Sequence, residues 1–216
     1  MVDKLTRIDT SLLADHVKLT INDECYFWRE YTSGRNYLFG PGNDLISNLK
    51  KKPSISNVHE LRHKERVIAE CSQFFSTAIN MDWLKTAVLV PIPGSKIQGH
   101  PDYDDRLIRV CRGIRSNMPL DIRCLVRQNQ SSVASHESGN AARLTVEELL
   151  ELYEIDETLI PPEPKNIAIF DDVLTAGTHY CAMQIKLSER FPNARIVGFF
   201  VARRVLPPDG DCHSAL

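Results

Sequence analysis

Asp171 and Asp172 follow four consecutive apolar residues, and Thr175, Gly177 and Thr178 come soon after them, in the stretch NIAIFDDVLTAGTHY (residues 166–180). Two carboxylates at a strand end can each accept from a hydroxyl, which suits a vicinal diol. The small-residue loop behind them opens a helix. Its free N–H groups and hydroxyls can therefore wrap a phosphate with help from the helix dipole. Gly177 allows close backbone approach or a positive φ. Diol and phosphate binders at this spacing match the length of a ribose 5-phosphate. A plain strand-turn-helix with an aspartate cap explains one acid and the glycine, but leaves the second acid and both threonines without a role.

The elements that must position these residues follow from hydrophobic pattern. Residues 166–170 are an apolar run of strand length, Tyr180, Met183 and Leu187 recur at helical spacing, and RIVGFFVA (195–202) predicts another strand. Upstream, TAVLVPIP (86–93) is an apolar run stopped by prolines, as expected of a strand covered on both faces. IRCLV (122–126) predicts a further strand. Helices are predicted around Leu61, Ile68, Cys71, Phe75 and Ala78, around Leu107, Cys111 and Ile114, and through VEELLELY behind a Thr145 cap. From residue 58 onward this alternation predicts an α/β fold, a parallel sheet flanked by helices on both faces. Ligands of such sheets sit beyond the carboxyl ends of the strands.

Residues 1–57 differ in kind. Two aromatic-rich runs around Ser33 and Gly34, in ECYFWREYTSGRNYLFG (24–40), predict a hairpin. Asn43 or Asp44 is expected to cap a short helix ending in Lys50, Lys51 and Lys52, a solvated end suited to the helix dipole. The turn-rich PSISN (53–57) divides an amino-terminal hood, residues 1–57, from an α/β core, residues 58–216.

Composition sets limits. Twenty-six basic against twenty-eight acidic residues leave a net charge of −2, so bulk nucleic-acid binding, which needs a basic surplus or stripe, is not expected. Cysteines at 25, 71, 111, 124, 181 and 212 form no C-x-x-C pair, and reduced thiols in a cytoplasmic protein are expected. No apolar run approaches the roughly eighteen residues of a membrane span, and the first dozen residues are too polar for a signal segment.

Four apolar residues, two acids, two apolar residues and a Thr/Gly-rich loop together resemble the signature of the type I phosphoribosyltransferases (PRTases). The resemblance implies a PRTase-type parallel sheet with a small amino-terminal hairpin or hood covering the acceptor base. It implies that Thr175, Ala176, Gly177 and Thr178 bind the 5-phosphate of phosphoribosyl pyrophosphate (PRPP), while Asp171 and Asp172 hold the ribose hydroxyls and serve catalysis. His179 stands where the family usually has Thr or Ser, and an imidazole there could still donate to phosphate with a pH-dependent charge. The loop after the 86–93 strand, with Gly94, Ser95 and Lys96, resembles the family's pyrophosphate loop, often built with an unusual peptide geometry. The polar run 127–143 is similar to the mobile loop that closes over pyrophosphate and would bring Arg127, His136 or Arg143 to it. Mg²⁺ is held mainly by the substrate's own oxygens in such enzymes. No protein metal ligand is implied, and the acid-rich HPDYDDR (100–106) reads as a helix cap.

The order of elements over residues 24–203 is most similar to the ComF-like branch, which is associated with DNA-uptake competence. The cysteine-rich zinc module that often opens such proteins is absent here. The activity implied is PRPP-dependent transfer of ribose 5-phosphate to a nitrogen nucleophile with release of pyrophosphate. Two alternatives stay open: a non-catalytic PRPP or nucleotide-binding regulator, and a PRTase-fold effector in a bacterial defence or DNA-uptake complex. Expected partners are PRPP, an unidentified acceptor, and a second copy or another protein, with no membrane partner.

Overall fold

The computed structural model describes residues 4–130 and 144–207. The elements are β1 (Thr6–Arg7), β2 (Cys25–Thr32), α1 (Pro41–Leu49), α2 (Val58–Ala78), α3 (Met81–Leu84), β3 (Ala87–Pro91), α4 (Arg106–Gly113), β4 (Asp121–Ile122), β5 (Val126–Gln128), α5 (Val146–Leu152), β6 (Tyr153–Ile155), β7 (Asn166–Leu174), α6 (Thr178–Arg190) and β8 (Arg195–Val205). Six strands form one sheet in the order β1-β2-β8-β7-β3-β4. Every pairing in it is parallel except β1 with β2. The fold is therefore α/β with a mostly parallel sheet flanked by helices, as the alternation of patterns predicts.

Strand period two divides the core. Val88, Val90, Ile167 and Ile169 pack with Leu149, Met183 and Leu187 of α5 and α6 on one face. Ala87, Leu89, Ala168 and Phe170 pack with Leu49, Phe75 and Cys111 of α1, α2 and α4 on the other. Burial on both faces is why β3 and β7 read as continuous apolar runs.

Four sequence expectations are corrected. The 24–40 hairpin does not form: Cys25–Thr32 is an interior strand, paired with β8 over seven residue pairs and with β1 over two. The chain beyond it cannot fold back as a partner, because Asn43 occupies the exit of β2. Its side chain accepts from the Thr32 N–H and donates to the Thr32 and Arg35 carbonyls, each at 3.0 Å. Asn43 is thus no helix cap; α1 starts with Pro41 behind Gly40. The second aromatic run becomes a short 3-10 turn, Tyr37–Phe39, capped by the Asn36 side chain.

The 122–126 run splits in two. It leaves the sheet at Arg123, whose guanidinium is tied to Asp121 and to the Leu159 and Pro162 carbonyls. Val126 then begins a separate antiparallel ribbon, β5 with β6. Finally, β7 does not stop at Phe170 but runs on to Leu174 beside β8, so Asp171 and Asp172 lie inside the strand.

β3 ends opposite Phe170, with the Ile92 N–H donating to the Phe170 carbonyl at 2.9 Å. Beyond that point β7 has a neighbour on only one side. The last four residues of β7 thus border a notch past the carboxyl end of β3, and both acids stand in it. Residues 6–49 contribute β1, β2 and α1 to this same sheet and core, and residues 53–57 join α1 to α2. Among the described residues, no helix is long and apolar enough to cross a membrane.

Candidate functional site

Adjacent residues of a strand point to opposite faces, so Asp171 and Asp172 meet different surroundings. Asp172 is buried and faces the α1 and α4 side. Its Oδ2 accepts from Arg106 Nε at 3.0 Å and Nη2 at 2.5 Å, and its Oδ1 lies 3.0 Å from Lys50 Nζ. Asp171 carries no direct ion pair among the described residues; its Oδ1 accepts from the Asp172 N–H at 2.7 Å. Burial and the neighbouring Asp172 charge push its pKa up to about 7, against the pull of Lys50. For Asp172 burial also opposes the charge, but Lys50 and Arg106 outweigh it and hold the carboxyl well below the usual range.

The cations belong to a network that crosses three helices. Arg106 Nη1 donates to Asp104 Oδ2 at 2.7 Å, and Lys64 Nζ of α2 donates to the same oxygen at 2.6 Å and to the Lys51 carbonyl at 2.6 Å. Lys64 is almost fully buried, and burial lowers its pKa against the attraction of Asp104. The triple-lysine run is therefore not simply a solvated helix end: Lys50 reaches the central acid and the Lys51 carbonyl anchors α2.

The acid-rich 100–106 segment is bound up in the same way. Asp104 accepts from the Arg106 N–H at 3.1 Å and takes the capping role, while Asp105 makes no side-chain cap bond. Asp102 accepts from Ser54 and donates its N–H to His100 Nδ1 at 3.0 Å. Among the described residues, no three or more His, Cys, Asp or Glu stand together as a metal site.

Thr175, Ala176 and Gly177 join β7 to α6. Gly177 has φ +92, a left-handed conformation that favours glycine, and α6 begins at Thr178 without a side-chain cap. The N–H groups of its first turn have no intrahelical acceptor and remain available to an anion. A strap from the amino-terminal segment holds the loop from behind. The Lys18 N–H donates to the Ala176 carbonyl at 2.9 Å, His16 Nδ1 donates to the Thr175 carbonyl, and Leu19 lies against Gly177. A carbonyl only accepts, so Nδ1 of His16 carries the proton. Burial lowers the His16 pKa, and its Nε2 has no hydrogen-bond partner among the described residues.

His179 is not aimed at the loop through Nδ1, which lies 2.8 Å from the Tyr153 hydroxyl. Burial lowers its pKa, opposed by the Asp172 charge. Burial, with the Asp171 charge beside it, raises the Tyr153 pKa, and Gln128 hydrogen-bonds the hydroxyl. The β5–β6 ribbon is thereby tied to the start of α6. Arg127, expected in a mobile loop, sits in β5 with its Nη1 at 3.4 Å from Asp156. His136 and Arg143 lie outside the described residues.

Gly94, Ser95 and Lys96 follow the end of β3 and are half-buried. Gly94 packs close to the Asp104 carbonyl, a methyl on it falling 3.6 Å from that oxygen, so this loop borders the Asp104–Arg106–Asp172 network. Its peptide bonds are trans, and the unusual geometry implied by the resemblance is not present. Lys96 and Lys52 both act electrostatically on Asp102, which places further positive charge at this edge.

The arrangement offers a carboxyl with no ionic partner among the described residues, an uncapped helix start and a cationic rim, at one end of one sheet. A cavity of about 280 Å³ between α2 and α4 is lined by Glu65, Ser72 and Arg109, and Glu65 and Arg109 pair with each other there. Lys50, Arg106 and His16 carried no local signal, because each acts through a partner distant in sequence. Compared with protein-family models and with curated proteins, the chain matches none, so its function must be read from the site.

Proposed function

We propose that this chain binds PRPP at the carboxyl edge of β7 and β3 and transfers its ribose 5-phosphate to a nitrogen nucleophile, releasing pyrophosphate. The observation that carries the reading is convergence. The acids run on in sequence to the uncapped start of α6, and the loop of residues 94–96, from a separate segment, leaves β3 where its pairing with β7 stops and borders the Asp104–Arg106–Asp172 network.

In this reaction the bond from ribose C1 to the diphosphate oxygen breaks and its electron pair leaves with pyrophosphate. A bond from C1 to nitrogen forms, and the acceptor gives up its proton to solvent. Asp171, in its ionised form, accepts from a ribose hydroxyl. The N–H groups of Thr178 and His179 and the hydroxyls of Thr175 and Thr178 take the 5-phosphate, and Ser95 and Lys96 take the diphosphate. Positioning and fixed charge supply the catalysis, and no protein nucleophile is needed. Mg²⁺, carried on the substrate's own oxygens, would offset diphosphate charge; the Asp171 carboxyl and the uncapped start of α6 are compatible with such a complex.

One observation favours a second reading, a non-catalytic PRPP or nucleotide sensor. Asp172 has both oxygens engaged by cations, which keeps one diol acceptor occupied. The two readings separate on a single experiment, in which PRPP with Mg²⁺ is bound and then offered a panel of nucleobase and amine acceptors. Release of pyrophosphate supports the transferase; tight binding without release supports the sensor. A cytoplasmic setting belongs to the same proposal, supported by the five described cysteines, all of which are free thiols. The acceptor and any partner copy belong to it as well.

A further inference from the structure

The two cations on Asp172 are held in unlike ways. Arg106 grips Oδ2 through two nitrogens and Asp104 through a third, and Asp104 is itself fixed by the buried Lys64. A planar guanidinium bound on all sides has nowhere to go. Lys50 makes one contact, to Oδ1 at 3.0 Å, and a third of its side chain is exposed (33%). It stands at the C-cap of α1, where the chain enters the irregular link to α2, and its ammonium ends a flexible four-carbon stem. A ribose hydroxyl arriving at Asp172 needs one of these oxygens. Lys50 is the partner that can yield.

Resting on the PRPP-binding reading, we propose that Lys50 is an exchangeable counter-ion: the ribose hydroxyl displaces it from Asp172 Oδ1, and the released ammonium turns to the diphosphate of the same ligand. The loop of residues 94–96 lies beside the same network, so the ammonium stays within the cluster that receives the diphosphate. The exchange replaces one ion pair by another when the ligand carries a diphosphate. With ribose 5-phosphate the ion pair is broken and nothing replaces it. Lys50 is thus a specificity-determining residue that selects the diphosphate-bearing sugar. A purely structural lysine, tying α1 to β7, would affect both ligands alike.

The test is calorimetric titration of ribose 5-phosphate and of PRPP, each with Mg²⁺, into wild type, Lys50→Met and Lys50→Arg, with urea midpoints recorded for each chain. In Lys50→Met, ribose 5-phosphate binds as well as in wild type or up to about five-fold more tightly, since the Lys50–Asp172 ion pair no longer competes. PRPP binds about ten-fold more weakly, for want of one charge-assisted hydrogen bond. Lys50→Arg keeps the charge and keeps the preference for PRPP. Lys50→Gln serves in place of the Met variant if that chain does not fold. Equal losses for both ligands, or an unchanged preference in the Met or Gln variant, would overturn the role of Lys50 while leaving the PRPP reading intact. Failure of wild type to bind either ligand would overturn both.

Discussion

Asp172 is a buried carboxylate with two cations on it, and its partners decide what the neighbouring Asp171 can do. Removing Arg106 would leave Asp172 and Asp104 short of a counter-charge in a buried site. Breaking one side of a buried network costs about 3–5 kcal/mol, so Arg106→Met is expected to lose about that much by denaturant unfolding. Arg106→Lys should recover little, because a point ammonium cannot span Asp172 and Asp104 together. A loss below about 1 kcal/mol, the range of exposed pairs, would show that the network contributes little.

Asp171 gives a pH signature of the opposite sign to an ordinary paired acid. Its folded pKa is raised to about 7, so the folded chain holds a proton that the unfolded chain has lost. The stability this contributes is full below the unfolded pKa and disappears as pH rises through about 7. Asp171→Asn removes the titration. Its stability relative to wild type should therefore rise between pH 5 and pH 8, read from urea midpoints at both. Parallel curves would mean that the carboxyl is not perturbed.

Elements tell where sequence pattern suffices and where it fails. β3, β7, β8 and α2 were legible because burial on both faces, or on one helical stripe, writes a local period into the chain. The Thr145 cap of α5 was legible for the same local reason, and it closes a reciprocal pair with Glu148. The hairpin was misread because β2 reaches β8 across more than 170 residues, and no local pattern reports such a pairing. What local chemistry there was lay in Asn43, whose side chain completes the end of β2. Asn43→Ala is predicted to cost about 2–3 kcal/mol, three hydrogen bonds at about 1 kcal/mol each, measured as a shift in the unfolding midpoint. An effect within about 0.5 kcal/mol would place Asn43 among ordinary surface residues.

At the scale of the whole molecule, the parallel sheet explains why the site lies where it does. Strands ending at unequal lengths open a notch, and helices starting or ending there bring N–H groups and cations to it. The acids and the loop of residues 175–179 were visible in sequence because they are contiguous. Lys50, Arg106 and the His16 strap were not, since the fold alone brings them to β7 and α6. The measurement that bears most directly on the account is calorimetric titration of PRPP with Mg²⁺ into wild type and into Asp171→Asn, a variant that leaves the Asp172 ion pairs in place. Ribose held by Asp171 predicts saturable binding to wild type and a loss of about ten-fold or more in the variant, equivalent to one hydrogen bond to a charged acceptor. Absence of binding to wild type, or equal binding to both, would contradict it.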